Sequence, residues 1–139
     1  MFKNLHMRTA HYKSRCMYHI VICVKYRHQI LKLNIRDVLS KLIEDICIRN
    51  DYVLLDYSIE LEHVHICIML KPNISVSTCI HKIKSITGYY MRLKFPLTIK
   101  QYLWGTKRLW SRGYYVSTIG DVSTSTVLKY VQSQENYNA

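Results

Sequence analysis

The stretch YVLLDYSIELEHVHICIML, residues 52–70, determines the fold class of this chain. It is rich in aliphatic and β-branched residues, and it is too long to be a single strand of a small domain. We therefore predict two strands joined by a bend near Tyr57–Leu61, although no Gly or Asn marks that bend. The segment Lys71-Pro72-Asn73 ends the second strand.

A helical pattern lies on either side of this pair of strands. Before it, we predict a helix with Asn34 as the N-cap and Asp37 in the first turn. After it, a second helix should start at Ser75 or Ser77 and stop at Phe95-Pro96. The apolar residues that recur at three- and four-residue spacing are Ile35, Val38, Leu39, Leu42, Ile43 and Ile46 in the first helix, and Val76, Cys79, Ile80, Ile83, Tyr90 and Leu93 in the second.

Two further strands are predicted at the ends of this pattern. The segment CMYHIVICVKY, residues 16–26, is β-branched and aromatic, and Trp110–Ile119 is a second strand candidate after an irregular basic stretch. The resulting order is β-α-β-β-α-β, followed by a short helix. This order predicts an α+β, ferredoxin-like or RNA-recognition-like fold, in which an antiparallel sheet carries two helices on one face.

The domain organisation predicted from length and composition is a single domain over residues 1–139. Within it, residues 1–15 form a basic N-terminal segment, which is either an arm over a phosphate backbone or a frayed tail. Residues 121–139 include the short final helix.

Charge is the most unusual feature of the composition. The 20 Lys and Arg residues outnumber the 9 Asp and Glu residues, which gives a net charge of +11. No acid precedes Asp37, and none lies between His63 and Gly120. Such an imbalance favours an anionic partner, either nucleic acid or a membrane surface. No long amphipathic basic helix is present, so nucleic acid is the stronger prediction.

Several classes of protein are excluded by the same inspection. The longest aliphatic runs, Ile20–Val24 and Ile66–Leu70, have five residues each and cannot span a bilayer. The N-terminus lacks the apolar segment of a signal peptide. The five cysteines form no CxxC pair, which indicates reduced thiols in a cytoplasmic protein and not a disulfide framework or a zinc ribbon.

Three groups of residues could carry chemistry. His63 and His65 project from the same face of a strand about 6.6 Å apart, so they could bind one metal ion, or they could be a chance pair. Tyr130 and Gln134 share one face of the final helix, where the simpler interpretation is that Tyr130 packs. The mixture of cations and aromatic rings in Lys100–Tyr115 suits stacking on unpaired bases, although it could be a solvated loop. The candidate DNA contacts are Lys82, Lys84, Arg92, Lys107, Arg108, Arg112 and Trp110.

Four segments in register resemble one known family. YHIVICVKYRHQIL (18–31), EHVHI (62–66), LWSRGYYVSTIG (109–120) and KYVQSQ (129–134) are similar to the single-tyrosine HUH transposases of the insertion-sequence 200/605 type. Each segment alone is a weak signal, whereas four in the right order and spacing are specific. The resemblance covers the chain from about Cys16 to Gln134.

The resemblance implies a site and a reaction. It implies that His63, His65 and Gln134 bind a divalent metal, Mg²⁺ or Mn²⁺, and that Tyr130 is the nucleophile, with Glu60 as a possible accessory acid. It implies a transposase that cleaves and rejoins single-stranded DNA at hairpin-bearing ends through a 5′-phosphotyrosine. It further implies a homodimer in which the final helix completes the partner's active site, in a prokaryotic cytoplasm and on the nucleoid when DNA is bound.

Other interpretations share the same element order or the same chemistry. An RNA-recognition module has this order, but it carries exposed aromatics on its central strands where this chain has His63-Val64-His65. A domesticated or inactive relative, acting as a regulator that binds DNA or RNA hairpins, would retain every motif. Replication initiators and relaxases use related chemistry in larger chains.

Overall fold

The computed structural model describes residues 16–103 and 108–119. Four strands form an antiparallel sheet in the spatial order β2-β3-β1-β4. They are β1 (Met17–Cys23), β2 (Val53–Ile59), β3 (His63–Met69) and β4 (Tyr115–Thr118), and the helices are α1 (Leu33–Arg49), α2 (Val76–Lys94) and α3 (Pro96–Leu103). Adjacent β1 and β4 run antiparallel, and β3 lies between β1 and β2. This is the predicted ferredoxin-like arrangement, so the prediction of the fold class is confirmed.

The main core lies between the sheet and the two long helices. Alternate residues of the central strands face the helices because successive side chains of a strand point to opposite faces. The buried residues shared by the two layers include Ile20, Ile22, Val64, Ile66 and Ile68 of the sheet and Leu39, Ile43, Ile80 and Ile83 of the helices. None of the helices in the described ranges is long and apolar enough to cross a membrane.

The register of β1 and β3 places the predicted metal-binding pair. His63 lies opposite Cys23, and His65 lies opposite Val21. Because Val64 between them points into the main core, both imidazoles project from the opposite face of the sheet. The two histidines therefore share a face at the centre of the sheet, as their spacing predicts.

The start of α1 differs from the prediction. The helix begins at Leu33, its N-cap residue is Lys32, and no side chain caps it. Asn34 therefore lies inside the helix, and Asp37 lies beyond the first turn. The backbone N–H of Leu31 donates to the carbonyl of Leu61 at 2.9 Å, so a tertiary contact fixes the chain just before the helix.

The second half of the chain confirms one boundary and corrects two. Ser75 caps α2, since its side chain accepts a hydrogen bond from the backbone N–H of Thr78 at 3.1 Å. The stretch after Pro96, predicted as irregular, instead begins α3, because proline suits the first position of a helix. The last predicted strand is shorter than Trp110–Ile119: β4 covers only Tyr115–Thr118, and Trp110 forms an isolated bridge with Val24.

Candidate active site

The two histidines of β3 bring their Nε2 atoms within hydrogen-bond distance of each other. The Nε2 atoms of His63 and His65 lie 3.0 Å apart, and the rings meet edge to face. Two nitrogens at adjacent corners of an octahedron, each about 2.1 Å from an ion, also lie about 3.0 Å apart. The pair therefore fits two ligands of a single six-coordinate divalent ion.

A third histidine, which the sequence analysis missed, joins this pair from β1. The Nε2 atom of His19 lies 3.0 Å from Nδ1 of His65, and the two rings stack with centroids 5.2 Å apart. When Nε2 of His65 presents its lone pair to an ion, its Nδ1–H can donate to His19. His19 can therefore set both the tautomer and the ring angle of His65. Nothing in the local sequence signals this, because His19 and His65 lie 46 positions apart.

His63 has a separate partner on its own hairpin. Its Nδ1 is hydrogen-bonded to Oε1 of Glu62, and Nε of Arg27 donates to Oε2 of the same carboxylate at 2.9 Å. The hydrogen bond from Arg27, followed by that from His63, holds the pKa of Glu62 below its ordinary value. The carboxylate thus stays charged and orients the imidazole.

Glu60, the predicted accessory acid, lies at the turn between β2 and β3. Its backbone N–H donates to the carbonyl of His63 at 2.8 Å, and its carboxylate exerts a charge effect on His65. It is Glu62, and not Glu60, whose side chain is hydrogen-bonded to a histidine of the pair. An accessory role for Glu60 stays a prediction.

Burial favours the neutral form of two of these histidines, His65 and His19. It lowers the pKa of His65 below the ordinary value, and the neighbouring His63 and His19 lower it further. Burial also lowers the pKa of His19. Neutral imidazole is the form that ligates a metal, so the environment favours the competent state near neutral pH.

The described residues do not by themselves form a metal site. Within residues 16–103 and 108–119, no three His, Cys, Asp or Glu side chains are placed to hold one ion together. A complete site needs donors in addition to His63 and His65. The predicted further ligand Gln134 and the predicted nucleophile Tyr130 both lie outside the described residues, as do the basic N-terminal segment and the predicted final helix.

A basic groove lies between α2 and the segment that follows α3. It has a volume of about 260 Å³. Its lining includes five of the predicted DNA contacts: the basic residues Lys84, Arg92, Arg108 and Arg112, and also Trp110. No acidic residue is among the described residues that line it. The groove is therefore a site of positive charge that can accept phosphate groups.

Lys84 organises this groove from within. Its ammonium group donates to the backbone carbonyls of Ser111, Arg112 and Gly113 at 2.7, 3.0 and 3.2 Å. An ammonium group has three N–H donors, so these bonds use all of them. Burial, and then the charge of Arg108, lower the pKa of Lys84. Lys84 thus anchors the segment that carries Arg112.

The three predicted DNA contacts other than these basic groove residues are Lys82, Trp110 and Lys107. Lys82 donates to Oδ1 of Asn50 at 2.9 Å and does not line the groove. Trp110 lines the groove, but the residue is only 3% exposed, so little of its ring is available for stacking on bases and a DNA contact by Trp110 stays a prediction. Its indole N–H donates to Oγ1 of Thr87 at 2.8 Å in the core. Lys107 lies outside the described residues.

Comparison with known proteins agrees with this geometry. The family described as "Transposase IS200 like" matches residues 12–134, which is most of the chain. The chain belongs to this family. The family identification made from the sequence is therefore confirmed, and the protein is a DNA transposase of the IS200 type.

Two characterised transposases are similar over most of their length. The ISDra2 transposase TnpA of Deinococcus radiodurans is 28% identical over 125 residues, which cover 90% of this chain and 88% of that protein. The transposase for insertion sequence element IS200 of Salmonella typhimurium is also 28% identical, over 90% of this chain and 80% of that protein.

Solved structures share the fold. A crystal structure of a transposase candidate from Deinococcus radiodurans R1 superposes with a TM-score of 0.68 at 30% identity and covers 88% of this chain and 91% of that one. A REP-associated tyrosine transposase bound to a REP hairpin has a TM-score of 0.61 at 14% identity, over 91% of this chain and 70% of that one. The second likeness concerns the fold alone. The ferredoxin-like core of this IS200-type transposase is thus also the core of its structural relatives.

Proposed function

We propose that this transposase cleaves and rejoins single-stranded DNA at the hairpin-bearing ends of a mobile element by metal-assisted transesterification. The observation that carries the proposal is the convergence of the His63 and His65 Nε2 atoms, 3.0 Å apart, in a chain of the IS200-type family. A strand-borne pair of imidazoles aimed at one point is suited to an ion that acts on a phosphate.

The nucleophile in this proposal is the hydroxyl oxygen of Tyr130. It forms a bond to the scissile phosphorus while the bond from phosphorus to the 3′-oxygen breaks, which leaves a 5′-phosphotyrosine and a free 3′-hydroxyl. The number of phosphate ester bonds is conserved, so rejoining by attack of a 3′-hydroxyl needs no external energy source. Phenol has an ordinary pKa of about 10, so the reaction needs an activated phosphate or help in removing the proton.

The metal ligands in this proposal are His63, His65 and Gln134. A mixed nitrogen and oxygen site accepts Mg²⁺ and is better suited to Mn²⁺, because imidazole is a softer ligand than carboxylate or water. An ion held by these residues would supply Lewis acidity to the scissile phosphate and to the departing 3′-oxygen. His19 and Glu62 would act through the ligands: each engages the Nδ1 atom of one imidazole and leaves the Nε2 atom available to a metal ion.

The partner in this proposal is DNA, and two observations support it. The basic groove presents Arg92, Arg108 and Arg112 without an acid among its described lining residues. One structural relative was solved on a REP hairpin, which makes a hairpin a reasonable substrate for this chain also. We further propose a homodimer in which the final helix of each subunit, bearing Tyr130, completes the site of the other.

The experiment that tests the reaction uses the Tyr130→Phe variant. The wild-type protein is incubated with Mn²⁺ and a single-stranded hairpin oligonucleotide, and covalent adduct is measured on a denaturing gel. We expect adduct from the wild type and none from Tyr130→Phe, with hairpin affinity within about twofold, because one hydroxyl contributes little to phosphate binding.

Tyr137→Phe is the matched control, since it makes the same change seven positions further along. It should form adduct like the wild type. Adduct formed by Tyr130→Phe but lost in Tyr137→Phe would assign the nucleophile to Tyr137. A wild type that binds the hairpin but forms no adduct would favour the alternative of an inactive relative that acts as a hairpin-binding regulator.

A further inference from the structure

The segment that follows β1 is tied to the turn that leads into His63. The backbone N–H of Val24 donates to the carbonyl of Glu62 at 2.8 Å, and that of Leu31 donates to the carbonyl of Leu61 at 2.9 Å. Between these two bonds, the side chain of Arg27 reaches the carboxylate of Glu62. The segment 25–30 is therefore held next to the histidine pair at both of its ends.

The backbone of this segment adopts a costly conformation. Tyr26 and Arg27, which lie in a short 3₁₀ turn, have φ angles of 60° and 54°. Non-glycine residues in the left-handed region cost of order 1 kcal/mol each and concentrate at functional sites. Tyr26, which lies in this turn, is 68% exposed. The fold thus displays an aromatic ring to solvent where burial would be more favourable.

Further rings and cations extend this surface. The ring centroids of Tyr26 and His28 lie 6.1 Å apart, and those of His28 and Tyr102 lie 5.5 Å apart. The ammonium group of Lys25 lies 5.5 Å from the centroid of the Tyr26 ring. Tyr26 and Tyr102 are exposed and His28 between them is half-buried. Accessible rings beside cations are the arrangement with which proteins bind unpaired bases, because every base has a face that can stack.

A pocket adjoins the last ring of this run. It has a volume of about 350 Å³, and Tyr102 lines it together with the carboxamides of Gln29, Asn34 and Gln101. Carboxamides can both donate to and accept from the edge of a base. The volume lies at the lower end of the range for sites of small molecules, so an unstacked base has room there.

From these contacts we propose that Tyr26, His28 and Tyr102 form a stacking platform for unpaired nucleotides of single-stranded DNA that enter the metal site. The proposal rests on the proposed function, since it assigns to these three residues the binding of the DNA strand next to the scissile phosphate. The platform is distinct from the basic groove. That groove is lined by Arg92 of α2 and by Arg108 and Arg112 of the segment after α3. The groove accepts phosphates, whereas the platform accepts base faces.

The test compares Tyr26→Asn with Tyr26→Phe. Asn tolerates the left-handed backbone of this turn, so it removes the ring while retaining the local conformation. Phe retains the ring and removes only the hydroxyl. Tyr89→Gln is the matched control, because Tyr89 is an exposed tyrosine on α2, 51% exposed, and is not one of the platform residues. Affinity is measured by fluorescence anisotropy for a short mixed-sequence single strand and for the same strand annealed into a duplex, over a series of salt concentrations.

We expect Tyr26→Asn to lose roughly 5- to 100-fold in affinity for the single strand, the range for one stacked base, with duplex affinity unchanged. The dependence of affinity on salt should keep its slope, because no cation is removed. Tyr26→Phe and Tyr89→Gln should bind like the wild type. An unchanged single-strand affinity in Tyr26→Asn, or an equal loss on the duplex, overturns the platform.

The same measurements separate the platform from the proposed reaction. If the wild type forms covalent adduct while Tyr26→Asn binds the single strand normally, the platform alone is wrong. If single-strand binding depends on Tyr26 while the wild type forms no adduct, the platform stands and transesterification is wrong.

Discussion

Replacement of His19 tests whether the histidine cluster prepares a metal site. His19→Leu removes the acceptor that lies 3.0 Å from Nδ1 of His65. Without that partner, the His65 proton can occupy Nε2, the atom that faces His63, and must move before an ion binds. Loss of such an outer partner typically lowers metal affinity by about 10- to 100-fold. This range corresponds to about 1.4 to 2.7 kcal/mol.

The assay is a titration of the DNA-free protein with Mn²⁺, in which free ion is followed by electron paramagnetic resonance. His19→Gln should retain most of the affinity, because its side-chain oxygen can accept the Nδ1–H of His65. His81→Gln, a change to an exposed histidine on α2, is the matched control and should have no effect. Wild-type affinity in His19→Leu would refute the reasoning. Equal losses in His19→Leu and His19→Gln would also refute it, since the effect would not depend on a hydrogen-bond acceptor.

Two further predictions concern stability. Thr87→Val leaves the buried indole N–H of Trp110 without its acceptor, so it should lower the free energy of unfolding in urea by about 1 to 3 kcal/mol with DNA affinity unchanged. The control is Thr118→Val, which makes the same change at an exposed threonine. An equal loss of stability in Thr118→Val would contradict a core role for Trp110. Burial raises the pKa of the Cys79 thiol to about 12, from 9.0 for a free thiol. As pH rises, the unfolded chain therefore loses this proton before the folded chain does. The contribution of Cys79 to stability is thus present below pH 9 and is lost as pH rises toward 12. Urea unfolding across that interval should therefore show a smaller loss of stability in Cys79→Ala than in the wild type, and identical pH profiles would be inconsistent with a buried thiol.

Local sequence patterns were sufficient to predict those features of the fold whose interacting residues lie close together along the chain. The apolar spacing of α1 and α2 predicted both helices, and Ser75 was one of two serines predicted to start α2, because the acceptor role of a cap depends only on the next few residues. The shared face of His63 and His65 follows from the two-residue period of a strand. The errors arose where a tertiary contact overrides local preference. The start of α1 is one such case, where a backbone bond from Leu31 to Leu61 fixes the chain.

Composition could not decide which aromatic residues face solvent. Trp110 and Tyr26 both lie beside Lys and Arg in the sequence, yet Trp110 is in the core and Tyr26 is exposed. The difference is set by the partners available in three dimensions. Trp110 packs against α2, where Thr87 accepts its N–H, whereas a left-handed turn directs Tyr26 outward. Neither the hydrogen bond with Thr87 nor the left-handed turn at Tyr26 can be predicted from the adjacent residues in the sequence.

The sequence by itself determined the family, the order of strands and helices, the excess of positive charge and the pair of histidines on β3. Only the tertiary structure brought in His19 from β1 and joined Arg27 to Glu62, contacts that span 46 and 35 positions. The physical reason is that backbone periodicity fixes the direction of a side chain relative to its neighbours in the chain. The groups that a side chain meets are fixed by strand order and register, which the packing of the whole core selects.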